Sequence, residues 1–274
     1  MKGHYCLALA AAFLIVAVAA ARGALAAATD RQNDLTLRLQ RAAAAKRAIS
    51  DITHPYVARR MPNYGSPRGI PPFAVPNSDT TMGGIDFTLN THWGTHADAP
   101  GHFNQTLLDQ GYDVNRLNLT TLNGPCWVVD TPRDQNITDE VMKRLNIPRG
   151  VTRVLFRTLN TDRRLMSQPA FDSSYTAFTT DGARYLVSHT DIKLVGIDYL
   201  SMGIGEWEEV KGVHLTFLNA KDIILVEGLN LDHVAPGTAY TVNCLPLSLP
   251  KFDGSPVRCM LTTNDSSSRP SVSP

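Results

Sequence analysis

The chain of 274 residues is long enough for one large domain or two small ones, and for a sizeable buried core. Its 26 Lys and Arg against 25 Asp and Glu leave a formal net charge of +1. No basic stripe or aromatic–basic interleaving stands out, which argues against a nucleic-acid partner.

Lys2 and His4 precede an apolar run over residues 7–21, and Ala26-Ala27-Ala28 before Thr29 has the A-x-A form of a signal-peptidase site. The run is short for a membrane span and rich in small alanines. Residues 1–28 are therefore expected to be a cleaved secretory signal. The mature protein would have no membrane span and would be secreted to the extracellular space or matrix. Four N-x-[ST] tripeptides, at Asn104, Asn118, Asn136 and Asn264, fit that route. Asn104 lies against the histidine cluster described below, so Asn118 and Asn136 are the expected glycosylation sites.

Residues 35–49, free of glycine and rich in helix formers, predict a short helix within an N-terminal extension, 29–48. The next stretch, to about residue 76, crowds prolines and glycines around Tyr56, Ile70 and Phe73. It is too apolar for a free linker and reads as a lid over a site or as a surface crossing. Ile85, Phe87 and Leu89 alternate with polar residues as a strand does. Further strands are predicted at 126–130, 153–158, 194–198, 223–227 and 257–262. Helices are predicted from Thr138, whose hydroxyl can cap a first turn holding two acids, from Thr180, and over 210–219. This alternation predicts an α/β or mixed α+β domain over 49–265, a mixed sheet with flanking helices. The Ser/Pro-rich tail, 266–274, reads as disordered. Cys126 reads as a buried thiol. Cys244 and Cys259 flank a loop across which they could pair, although spacing does not establish connectivity.

Three histidines and an aspartate fall within "HWGTHADAPGH", as His92, His96, Asp98 and His102. Gly94, Pro100 and Gly101 argue against a helix, and Gly94 is placed to allow a tight turn in a loop. Two imidazoles and a carboxylate suit a first-row divalent ion such as Zn²⁺ or Mn²⁺, with positions left open for water or substrate. Capping and hydrogen bonding would explain one His-x-Asp, but not this density. Downstream, His214 stands in a short amphipathic run. Glu227 ends the apolar run "IILV", where a carboxylate is costly unless paired or ligating.

These residues resemble the H-x-G-T-H-x-D-A-P-x-H motif of the metal-dependent cyclase-like hydrolases, which include kynurenine formamidases and isatin hydrolases. "ISDITHPY", "GIDYLSMG", "HLTFL…DIILVEGL" and "DGSPVRCML" resemble other segments of that family, so the likeness spans roughly 49–261. With its secretory signal the chain looks most like the plant branch, which is linked to the extracellular matrix and to stress or cell-death responses. The resemblance implies a swivelling β/β/α-type fold and homo-oligomers. It also implies a site with one or two ions: His92, His96 and Asp98 as first ligands, His214 and Glu227 completing a second position, and His102 as the catalytic histidine. Trp93 departs from the family, filling a position that is usually small or hydroxylic. It would narrow the pocket or stack on an aromatic substrate.

The chemistry expected is metal-assisted hydrolysis of an amide-type C–N bond in a small, aromatic formamide or lactam, with His102 moving the proton and Thr95 bracing the loop. Two rivals use the same residues. A non-haem iron oxygenase would employ His96, Asp98 and a distant histidine, and predicts a jelly roll. A non-catalytic secreted metal-binding regulatory protein would keep every motif.

Overall fold

The structure, a computed structural model, describes residues 49–76 and 85–263. The predicted signal, most of the predicted N-terminal helix and the Ser/Pro-rich tail lie outside these residues. Ile49, the last residue of that predicted helix, opens a strand instead. In chain order the elements are β1 (Ile49–Asp51), β2 (Ala74–Pro76), β3 (Ile85–Phe87), β4 (His96–Asp98), α1 (Gln105–Asp109), α2 (Leu119–Leu122), β5 (Asn123–Asp130), α3 (Asp139–Leu145), β6 (Arg153–Arg157), α4 (Leu159–Asp162), α5 (Thr180–His189), β7 (Leu194–Ile197), α6 (Trp207–Leu218), β8 (Ile224–Glu227), β9 (Ala239–Pro246) and β10 (Gly254–Thr262).

Strands β5, β6, β7 and β8 are parallel, and helices lie in the connections between them. β4 and β9 run antiparallel to this set, on β8 and β5 respectively, and both pair with β10. That double pairing closes the sheet on itself, and β1 adds to β10 alongside β4. The mixed α/β reading holds, as a closed barrel with flanking helices. Parallel strands joined through helices are not a jelly roll, so the oxygenase alternative loses its fold.

Alternation along the strands divides the core in two. Cys126, Val128, Leu155, Leu194, Val226, Val242 and Val257 point inward and fill the barrel. Val129, Val154, Phe156, Val195, Ile197 and Leu225 point outward, under Val141, Leu186, Val213 and Phe217 of the helices. The barrel interior is therefore packed solid, and any site must lie on the outer face or at the rims.

The helices follow their sequence signals closely. Thr138 caps α3 through its hydroxyl, which accepts from the Val141 N–H at 3.2 Å, and Asn146 ends that helix in the left-handed conformation. α6 begins three residues before the predicted start, because Glu206 and Glu209 form a capping box ahead of Trp207. Elsewhere pairing overrides local reading. Ile85 and Phe87 do form a strand, but among the described residues it pairs with β2 and not with the barrel, and both side chains are exposed. The Pro/Gly-rich segment is tied down by Ile70, whose N–H donates to the Met61 carbonyl, and both residues are buried.

Cys244 and Cys259 stand opposite each other in the β9–β10 ladder and form a disulfide inside the barrel. Cys126 is free, and burial pushes its thiol up to about 12, which makes it inert. The disulfide spans 15 residues, and a loop of that size stabilises by about 3 kcal/mol. The Cys244→Ala/Cys259→Ala double variant should fold to the same barrel and lose about that much stability in urea denaturation.

Candidate metal centre

The histidine cluster was expected to be a loop, and its centre is a strand. β4 is three residues long, and it exists because β8 and β10 pair with it from either side. Flanking glycine and proline do not prevent so short an extended stretch when tertiary pairing supplies both ladders. Ala97 points into the barrel, which turns His96 and Asp98 outward together toward α6. His96 is the direct cross-strand partner of Glu227. α6 buries Val210, Val213, His214, Phe217 and Leu218, the stripe of one helix face, and so brings His214 to the same point.

The ring nitrogens are sorted by their backbone partners. His96 Nδ1 is 2.9 Å from the Gly94 carbonyl and His214 Nδ1 is 2.7 Å from the Val210 carbonyl, so each donates there and presents Nε2. His96 Nε2 then lies 3.4 Å from both Asp98 Oδ1 and Glu227 Oε2. His214 Nε2 lies 3.1 Å from Glu227 Oε1 and 4.0 Å from Asp98 Oδ2. His92 Nδ1 meets Asp98 Oδ1 at 3.0 Å. Glu227 accepts backbone N–H bonds from Ser201 at 2.7 Å and Met202 at 2.6 Å, which offsets part of the cost of burying it. Ser201 holds a φ of +83° to make that contact. For a residue with a Cβ, such a conformation costs about 1–3 kcal/mol.

Gly94, at φ +61°, sits where a Cβ would come within 2.8 Å of Met61 Sδ, so the tight turn expected there does require glycine. Thr95 is fully buried; its hydroxyl donates to the Gly228 carbonyl at 2.6 Å and accepts from the His54 N–H. That is a bracing role, as expected.

Charge in the centre follows from burial and close partners. Burial opposes ionisation of Asp98, but His102, His92 and His96 outweigh it and hold the carboxyl well below the usual range. Burial disfavours the His92 cation, and the carboxylates of Asp253 and Asp98 reverse this, raising its pKa to about 10. For His214, burial is likewise overcome by Glu227 and the pKa rises. For His102 burial outweighs the neighbouring carboxylates, and its pKa falls below the ordinary value.

A divalent ion fits these residues. Donor atoms of His92, His96 and Asp98 all lie within 4.8 Å of one another, and so do those of Asp98, His102 and His214. Asp98 Oδ2 is buried with no hydrogen-bond partner. An unsatisfied buried carboxylate oxygen among imidazole nitrogens is what a cation would complete. Beside these groups lies a cavity of about 260 Å³ reached past Asn63, Tyr64, Trp93, Phe103 and Trp207. Trp93 is fixed by its indole N–H, which donates to Asn63 Oδ1 at 3.0 Å, and it lines this cavity. A larger groove, about 600 Å³, runs over β1 and β10 but holds one histidine, His54, and no ligand cluster.

The family model described as "Putative cyclase" matches residues 50–203. The chain belongs to this cyclase family. Among its relatives, Cyclase-like protein 2 of Arabidopsis thaliana is 50% identical over 217 residues, 78% of either chain. Kynurenine formamidase of Bacillus cereus is 32% identical over 174 residues, 64% of this chain and 77% of its own. A solved structure described as a potential metal-dependent hydrolase with cyclase activity superposes with a TM-score of 0.63 at 32% identity, covering 79% of this chain and 98% of its own. The family's fold is thus the one described above.

All six residues singled out from the sequence, His92, His96, Asp98, His102, His214 and Glu227, meet in this place. One neighbour was missed. Asp253, just before β10, sets its Oδ2 2.9 Å from His102 Nδ1. No local pattern around "KFDGSP" announces this, since its partners are about 150 residues away in the chain. His96→Ala should abolish tight metal binding, read by metal analysis after dialysis, while the far-UV circular dichroism stays that of the wild type.

Proposed function

We propose that the chain is a divalent-metal-dependent hydrolase that cleaves an amide-type C–N bond, in a formamide or lactam of a small aromatic amine. The observation that carries the reading is the convergence of His96, Asp98, His214 and Glu227 around an unsatisfied Asp98 oxygen, with His102 at its edge. The likeness to a kynurenine formamidase supports the reaction class.

His92, His96 and Asp98 would hold a first ion, Zn²⁺ or Mn²⁺, and Asp98, His214 and Glu227 a second. Such an ion, when bound, supplies a Lewis acid that lowers the pKa of water to about 7 and polarises a carbonyl oxygen. His102, which lines the pocket, takes a proton from the attacking water and returns it to the leaving nitrogen, so amide and water become a carboxylic acid and an amine. The aromatic rim of Tyr64, Trp93, Phe103 and Trp207 excludes water and favours a flat substrate. At about 260 Å³ the cavity lies just under the span common for drug-sized ligands, so the substrate is small.

Secretion belongs to the same reading. The apolar run at 7–21 and the alanines before Thr29 support it, as does the Cys244–Cys259 disulfide, which persists in oxidising compartments. Asn118 is exposed and Asn136 half-buried, which keeps both as glycosylation sites. The likeness to a plant cyclase-like protein supports the plant-branch part of this reading, and an extracellular, stress-linked role is proposed with it.

Metal-loaded protein should hydrolyse at least one member of a panel of N-formyl aromatic amines and lactams. In His102→Ala, kcat should fall roughly 10²- to 10⁴-fold with metal content unchanged. A metal-loaded wild type that turns over nothing in the panel overturns the reading.

A further inference from the structure

Asp253 binds two histidines through one oxygen. Its Oδ2 lies 2.9 Å from His102 Nδ1 and 3.1 Å from His92 Nε2, the latter at ion-pair distance and off the line of a hydrogen bond. The two rings stack 4.1 Å apart at 26°, so a single carboxylate reaches both edges. Its own position is set by the residue that follows β4, because the Ala99 N–H donates to the Asp253 carbonyl at 2.9 Å. The next residue is glycine for a reason at this spot: a Cβ on Gly254 would lie 2.4 Å from Cε1 of His92. The start of β10 thus fits around the distant His92 ring only because Gly254 carries no side chain.

Both rings border the metal pocket. His92 Nδ1 faces Asp98 at 3.0 Å, and His102 offers a donor atom close to those of Asp98 and His214. A carboxylate behind a histidine fixes which nitrogen carries the proton and raises the basicity of the other.

We infer that Asp253 is a positioning residue that orients both a metal ligand, His92, and the proton carrier, His102, through its shared Oδ2. It fixes the proton on His102 Nδ1 through a hydrogen bond and sets a negative charge 3.1 Å from His92 Nε2, which keeps the Nδ1 edge of His92 toward Asp98. The side chain of Asp253 is 36% exposed against 15% for His102, so it also connects the buried ring with solvent. The His102 half of this assignment rests on the hydrolase reading above; the His92 half does not.

The test is Asp253→Asn, nearly the same shape without the charge, with Asp51→Asn as a control. Asp51 is paired to Arg258 at the outer end of β10, away from the pocket. Zn²⁺ affinity is read by competition with a chromophoric chelator, and kcat and KM are read separately on any substrate the panel yields. Loss of an outer partner of a metal-bound histidine weakens affinity about 10- to 100-fold. Asp253→Asn should weaken Zn²⁺ binding by at least about 10-fold, with kcat falling more than KM changes, while Asp51→Asn matches the wild type in both. Zn²⁺ affinity in Asp253→Asn within twofold of the wild type overturns the inference. Equal weakening in the control overturns it too, as does a wild type that takes up no Zn²⁺. If no substrate is found, the hydrolase reading fails, and the Zn²⁺ titration still decides the role of Asp253 toward His92.

Discussion

Everything around the site depends on one cross-strand pair, His96 opposite Glu227 on β4 and β8. Both side chains are nearly inaccessible, and an isolated carboxylate at that depth would cost several kcal/mol. Glu227 is acceptable because the backbone N–H groups of Ser201 and Met202 donate to it and the ring of His214 lies against it. The strained Ser201 backbone, the capped α6 and the short β4 each bring a group to this carboxylate. In that sense the pair organises the strands, the loop and the helix that meet there.

The barrel makes the pair rigid without containing it. Its interior is filled by aliphatic side chains and by the Cys244–Cys259 disulfide, so the chemistry stands on the outer face, under α6. β4 is held on both edges, by β8 and by the first residues of β10. β10 delivers Asp253 and Gly254 to the same rings that β4 displays, so barrel closure and construction of the site are one event.

Much of the first half of the site was legible in the sequence. His92, His96 and Asp98 fall within seven residues, and no ordinary structural need gathers those types so densely. Glu227 was legible for a different reason, as a charge ending a buried strand. Asp253 was not, because its surroundings are an unremarkable turn and its partners come from a distant strand. The extended form of His96–Asp98 was also hidden: three residues between glycine and proline carry no local strand signal, and their conformation is imposed by neighbours. Ile85 and Phe87 show the converse, since their alternation did mark a strand yet said nothing about which sheet it joins or that both would stay exposed.

The sequence by itself determined the metal-competent residue types, the Thr138 cap, the glycine turn at Gly94 and the alternation of strands and helices, because each is a matter of residues near one another along the chain. Only the tertiary structure decided that the sheet closes, that His96 faces Glu227, and that Asp253 stands behind two histidines. Those facts rest on strand register and on which face each side chain takes, and a shift of one residue would have reversed them.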